Sequence, residues 1–149
     1  MRKTISLFLA ATLLLTLSII PINAAGNNTS VIYFEDGSYI TIEISEVVTR
    51  ASTVSNTKTY TYHNTFGVEE WKAVLRGSFL YTGTSVTCTS SECDVTISNS
   101  SWSVSSKTTS RTVDTAIADV TMVSKVLGIT IKTETIRLAL TCSPTGVLS

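Results

Sequence analysis

Glu69-Glu70-Trp71-Lys72-Ala73-Val74-Leu75-Arg76-Gly77-Ser78-Phe79-Leu80-Tyr81 alternates between apolar and polar residues. Trp71, Ala73, Leu75, Phe79 and Tyr81 fall on one side; Lys72, Arg76 and Ser78 fall on the other. Successive side chains of a strand point to opposite faces, so this pattern predicts a long strand with one buried face. Gly77 interrupts the apolar row and marks a bulge or a close approach of another chain segment.

The same alternation runs outward in both directions. Upstream, Val31 to Phe34 is a short strand, Glu35-Asp36-Gly37-Ser38 is a turn, and Tyr39 to Val48 returns with Ile40, Ile42 and Ile44 on one face. Asp-Gly supplies the left-handed position that a tight hairpin needs. Thr49 to Thr57 is polar and weakly patterned and reads as a linker, after which Thr59 to Tyr62 alternates and Asn64-Thr65-Phe66-Gly67 turns the chain. Downstream, Ser85 to Thr89 and Asp94 to Ser98 read as two short strands around a Ser-Ser-Glu loop, and Trp102 and Val104 open the next. Thr112 to Val123 places Ala116, Ala118, Val120 and Met122 on one face; its Thr and Val content favours strand over helix. Leu127-Gly128 turns the chain into a last strand, Ile129 to Cys142, with Ile136, Leu138, Leu140 and Cys142 on one face. About nine short strands without a helix predict an all-β fold, an antiparallel β-sandwich rather than a barrel.

The N-terminus reads differently. Arg2 and Lys3 precede an uncharged apolar run from Ile5 to Ile20, and Pro21-Ile22-Asn23-Ala24-Ala25 follows. This is the pattern of a secretory signal peptide, a helix cleaved after Ala24 or Ala25. The run is short for a membrane span, and no later segment is long enough, so no span is expected after cleavage. The expected division is therefore 1–25 signal peptide, 26–57 hairpin and linker, and 58–149 β-sandwich, with 26–149 as a single domain the alternative. The expected location is secreted or associated with the cell surface.

Composition narrows the function. The chain has 11 basic and 11 acidic side chains, and loss of Arg2 and Lys3 leaves nine against eleven. No basic patch follows a phosphate backbone, so nucleic acid is not expected as a partner. Serine and threonine make up about a third of the chain beyond the leader, yet the hydrophobic content of 43% is that of a folded domain.

No catalytic, cofactor or metal motif stands out. The single histidine, His63, lies at a strand end with no nucleophile elbow around any serine. Cys88-x4-Cys93 with one distant histidine is a poor zinc set. Glu69 and Glu70 point to opposite faces of their strand, unlike a glycosidase pair. Tyr60, Tyr62 and Trp102 lie on short Ser/Thr-rich strands and form a candidate platform on which a sugar ring can stack. The three cysteines leave three alternatives open: Cys88 with Cys142, clipping distant strands at a gain on the order of 4 kcal/mol, Cys88 with Cys93 in a local loop, or no disulfide at all. In the first case Cys93 is a free thiol in a polar loop beside Glu92 and Asp94, where neighbouring carboxylates disfavour a thiolate.

Glu35 to Ile40, Lys58-Thr59-Tyr60-Thr61-Tyr62, Trp71, Phe79 to Ser85 with Cys88-Thr89-Ser90, Ser100-Ser101-Trp102, and Leu140-Thr141-Cys142-Ser143 with Gly146 and Leu148-Ser149 together carry a resemblance. The chain resembles a family of short exported Ser/Thr-rich proteins of unknown function from Gram-positive, largely gut-dwelling anaerobes. The resemblance implies export from a Gram-positive cell and a cysteine pair at Cys88 and Cys142, with Cys93 an extra residue. It transfers no activity. The expected function is a non-enzymatic extracellular binding or interaction domain, with a cell-wall or host-surface glycan or protein as partner. A small secreted hydrolase acting on glycans or peptides is the alternative, and a secreted effector or inhibitor the second alternative.

Overall fold

A computed structural model describes residues 20–24, 27–45 and 52–149. Residues 5–19 of the apolar run expected to form the signal helix lie outside the described residues, as does Ala25; Ile20, the last residue of that run, opens the first strand and Ala24 ends it. The described chain is all-β: β1 (Ile20–Ala24), β2 (Asn27–Tyr33), β3 (Tyr39–Ile44), β4 (Thr53–His63), β5 (Glu69–Tyr81), β6 (Val86–Ile97), β7 (Trp102–Arg111), β8 (Thr115–Val126) and β9 (Ile129–Thr141). One antiparallel sheet holds β1 to β6 in chain order, and a second holds β7 to β9. The eight strands from β2 onward carry the rest of the architecture.

The apolar rows read from the sequence face inward from both sheets into one cluster. Trp71, Ala73, Leu75 and Phe79 of β5 join Ile40 and Ile42 of β3, Ala116, Ala118, Val120 and Met122 of β8, and Leu138 and Leu140 of β9. Gly77 shows why its side chain is missing. A Cβ there would stand 3.0 Å from the Ala116 Cβ and from the Phe79 ring. The ladder to β6 also shifts register beside it, between Ser78 and Phe79. Bulge and close approach therefore coincide.

Two parts of the sequence reading need correction. Thr53 to Thr57 are the first half of β4, not linker, and they pair with Leu80 to Arg76 of β5. Only Val54 and Asn56 of this stretch turn inward, and Asn56 is polar, so no apolar row advertises the strand. β4 thus runs across position 57, and the β2–β3 hairpin is part of the same sheet. Likewise β6 is one continuous strand with no Ser-Ser-Glu loop. It has a neighbour on one side only, and an edge position lets polar residues occupy both of its faces. Cys93 therefore lies in a strand, buried opposite Leu75, and not in a polar loop.

Each strand reverses direction, so the connections β2–β3, β4–β5, β6–β7 and β8–β9 gather at one end of the molecule. Hydrogen bonds tie these turns together. The Ser98 and Asn99 amides donate to the Glu70 carbonyl at 2.9 and 3.0 Å, and the Lys125 amide donates to the Ser101 carbonyl at 2.9 Å. At the opposite end the Cys88 amide donates to Val113, the Cys142 amide to Asp114 and the Gly83 amide to Pro144.

Candidate functional site

The expected stacking platform does not reach solvent. Tyr62 is 2% exposed and Trp102 6%. Tyr62 stacks on Trp71 with centroids 5.2 Å apart, and Trp102 meets both rings edge-on. Such pairs add about 0.5–1.5 kcal/mol each beyond their burial, so these rings are core. The Trp71 indole N–H has no acceptor there, a cost of about 1–3 kcal/mol that the burial of three rings outweighs. Tyr60 is half-buried against the same cluster.

The aromatic side chains that do face outward form a different row. Tyr33, Tyr39 and His63 stand opposite one another on β2, β3 and β4. Inward-facing Ile40 and Ile42 put Tyr39, one and three residues before them, on the outer face. Its ring lies 4.7 Å from the imidazole of His63, nearly parallel at 13°, and 5.5 Å from the ring of Tyr33 at 43°. Tyr39 and His63 therefore spend their faces on each other. Tyr33, 58% exposed, keeps ring surface for a ligand. His63 is positioned by Thr41 Oγ1 and the Gly67 carbonyl, each 3.4 Å from a ring nitrogen. Neither neighbour is a nucleophile paired with a carboxylate, so the geometry gives His63 a stacking role.

The row runs into the β4–β5 turn, which is built by Asn64. Its Oδ1 accepts from the Phe66 and Val68 amides at 2.9 and 3.1 Å, and its Nδ2 donates to Glu70 Oε1 at 2.7 Å. Glu70 is buried; its Oε2 accepts from Asn99 Nδ2 at 2.5 Å. One carboxylate thus clamps two turns while its neighbour Glu69 faces out to Ser98 Oγ, 2.9 Å away. The turn holds Phe66 out at 88% exposure.

A second cluster, not foreseen from the sequence, joins β9 to the β2–β3 turn. Lys132 Nζ donates to Asp36 Oδ2 at 2.5 Å, to the Tyr62 hydroxyl at 2.7 Å and to Ser38 Oγ at 3.2 Å, and pairs with Glu134 at 3.1 Å. It also lies over the rings of Phe34 and Tyr62. A serine and a lysine in contact suggest a nucleophile and its base. A lysine base, however, must have its pKa lowered towards neutrality. Burial pulls Lys132 that way, but its bonds to Asp36, Tyr62 and Glu134 outweigh burial and hold its pKa above the ordinary lysine value. The lysine hydrogen bond, followed by those from Ser38, pushes Asp36 down to about 2. The cluster is a charged latch. Its members lie 94 and 96 positions apart in the chain, and no local motif predicts it.

Between β6 and β7 runs a groove of about 310 Å³ lined by Thr89, Ser90, Ser91, Glu92, Thr109, Ser110 and Arg111. Arg111 donates to the Thr89 carbonyl across it. Its lining is all hydroxyls and two opposite charges, suited to a polar ligand but without an aromatic face.

All three cysteines are free thiols, so neither bridge considered above is formed in this structure. Cys88 and Cys142 are buried at the end opposite the turns, held by the consecutive carbonyls of Val113 and Asp114. Burial pushes both thiols up, and Asp114 adds to it; Cys142 is raised further by Cys88 nearby. Burial likewise raises Cys93, against the weaker opposing pull of Lys107. Among the described residues no group of three or more metal-ligating side chains forms a site, and no helix is long and apolar enough to cross a membrane. No family model, curated protein or solved structure matches the chain.

Proposed function

We propose that this chain is a non-enzymatic binding domain, exported from a Gram-positive cell, that meets its partner with the end carrying the β2–β3, β4–β5, β6–β7 and β8–β9 turns. The two sheets are read as the layers of a β-sandwich, with the Gly77–Ala116 contact between them. One observation carries the reading. The outward aromatic row and the most exposed large apolar side chains, Phe66 and Leu127, occur at the same end. The β4–β5 and β6–β7 turns are fixed by the Glu70 clamp and the β2–β3 turn by the Lys132 latch. A rigid display of rings beside hydroxyls suits glycan or protein surfaces, where aromatic anchors dominate binding. Cell-wall or host-surface glycan is the partner class favoured by Tyr33 with Thr41, Thr61 and Lys72 on the neighbouring row of the outer face.

Retention of the protein on purified cell wall and on mucin tests this. Tyr33→Ala is expected to weaken retention about tenfold, while Val113→Ser at the far end leaves it unchanged. Equal retention of both variants would remove the row from consideration. In an oxidising exterior, Cys88 and Cys142 are proposed to join as a disulfide, read as an intact mass lower by two hydrogens.

The hydrolase reading has one observation in its favour, the Ser38–Lys132 contact, and the raised pKa of that lysine weighs against it. Glycan or peptide turnover that disappears in Ser38→Ala would reinstate it.

A further inference from the structure

A strand can be added to a sheet only where an edge leaves backbone groups open. Three of the edges here are guarded. At β6 the Thr89 and Cys93 carbonyls accept from Arg111 and from Lys107 Nζ, the latter at 2.8 Å. β7 carries those two cations and is broken by a register shift between Val104 and Ser106. At β9 the Ala139 carbonyl accepts from Lys58 Nζ at 2.9 Å, and Thr141 exchanges both backbone bonds with Ser149, each at 2.9 Å. Basic side chains, bulges and a covering segment are the usual protections against edge pairing. The fourth edge differs. Asn27 to Tyr33 contains no charged residue and no proline, and the ladder from β2 to β3 runs without a shift. Its only cover among the described residues is β1, paired antiparallel from Ile20 opposite Val31 to Ala24 opposite Asn27. Cleavage after Ala24 or Ala25 takes β1 away with the leader and leaves β2 as an open edge.

We infer that the processed chain pairs with a second copy of itself, β2 against β2; the inference rests on the reading above that the chain is exported and its leader removed. The register follows from the backbone. The Phe34 amide donates to the Ser38 carbonyl at 2.9 Å, so the even-numbered residues before it face β3. Asn27, Thr29, Val31 and Tyr33 then turn their N–H and C=O groups to the edge that β1 occupies. An antiparallel self-pair centred on Ser30 sets Thr29 against Val31 and Asn27 against Tyr33 of the other copy. Every open backbone group of the strand is bonded in that register, and no like charges meet. The two Ser30 residues face each other at a non-hydrogen-bonded position, where Cα atoms approach to about 4.5 Å and a small side chain fits. The strand is thus its own complement over its full length, which selects a second copy as the occupant. Antiparallel pairing points the two turn ends in opposite directions, so one dimer meets two partner surfaces.

The test is sedimentation of the exported protein recovered from the medium, with its N-terminus read by intact mass. A chain cut after Ala24 or Ala25 is expected to sediment as a dimer at micromolar concentration and to dissociate on dilution. Thr29→Pro removes an edge donor that β3 does not use. It is expected to weaken association about tenfold or more, since symmetry removes two ladder bonds, while the circular dichroism of the folded chain is kept. Ser30→Cys gives an independent reading: mild oxidation is expected to link two copies, whereas Thr108→Cys on the guarded β7 stays unlinked. A cut chain that remains monomeric, a dimer that Thr29→Pro leaves intact, or a Ser30→Cys chain that does not link overturns the inference. A complex holding a different polypeptide on this edge also overturns it. So does an exported chain of full length, and the mass separates that failure, which belongs to the export reading, from a failure of pairing. Monomers that still bind cell wall or mucin would leave the proposed function standing.

Discussion

The β4–β5 and β8–β9 hairpin tips expose large apolar side chains by opposite means. In the β4–β5 turn, Asn64 satisfies two amides and reaches the buried Glu70, so Phe66 is out because the turn is well built. In the β8–β9 turn no side-chain hydrogen bond supports the described tip, and Leu127 is out in spite of its backbone. Exposure alone therefore says little, because apolar atoms supply more than half of any folded surface. Exposure at a conformational cost says more, and it separates the tip that structure explains from the tip that structure does not.

The largest expected effect breaks the first tip. Glu70→Ala removes the carboxylate shared by Asn64 and Asn99 and leaves both amides unpaired, a loss of about 3 kcal/mol. Glu70→Gln retains one acceptor and loses about half of that. Urea titration measures both; a change below 0.5 kcal/mol in Glu70→Ala would mean that water replaces the clamp. The second tip responds with the opposite sign. Leu127→Asn relieves a left-handed leucine and stabilises by about 1 kcal/mol. A destabilised Leu127→Asn would show that the leucine packs against something and would dissolve the contrast.

A smaller effect concerns the latch beside that tip. Asp36 has its pKa depressed to about 2, so its contribution is present above the unfolded value near 4 and is lost as pH falls from about 4 to 2. Lys132, raised, contributes below its unfolded value and loses this only as pH climbs through its folded value. Asp36 is half-exposed, so solvent screening holds the acid loss under about 1 kcal/mol. Comparing the parent with Asp36→Asn across that window isolates it, and identical slopes would remove the latch from the account. The smallest effect is Phe66→Ser, within about 0.5 kcal/mol by thermal melting, as for other exposed positions away from packing.

The sequence showed the core well and the surface poorly. Alternation in β5, β8 and β9 found most of the inward rows, because one face of each strand is continuously apolar. Asn56, Ser90 and Ser91 broke that signal and hid half of β4 and the middle of β6. Ser and Thr surround Tyr62 and Trp102 in the chain and give no sign of their burial, which comes from Trp71 on another strand. The Tyr33–Tyr39–His63 row needs the register of three strands at once, and Lys132 meets Asp36 across 96 positions. Those relations exist only after folding.

The most direct test of the account is retention on purified cell wall and mucin of three forms: the parent, a Tyr33→Ala/Phe66→Ser double variant of the turn end, and a Val113→Ser/Val147→Ser double variant of the opposite end. The turn-end variant alone is expected to lose retention while all three melt alike. Loss in the opposite-end variant, with the turn-end variant retained like the parent, would contradict it.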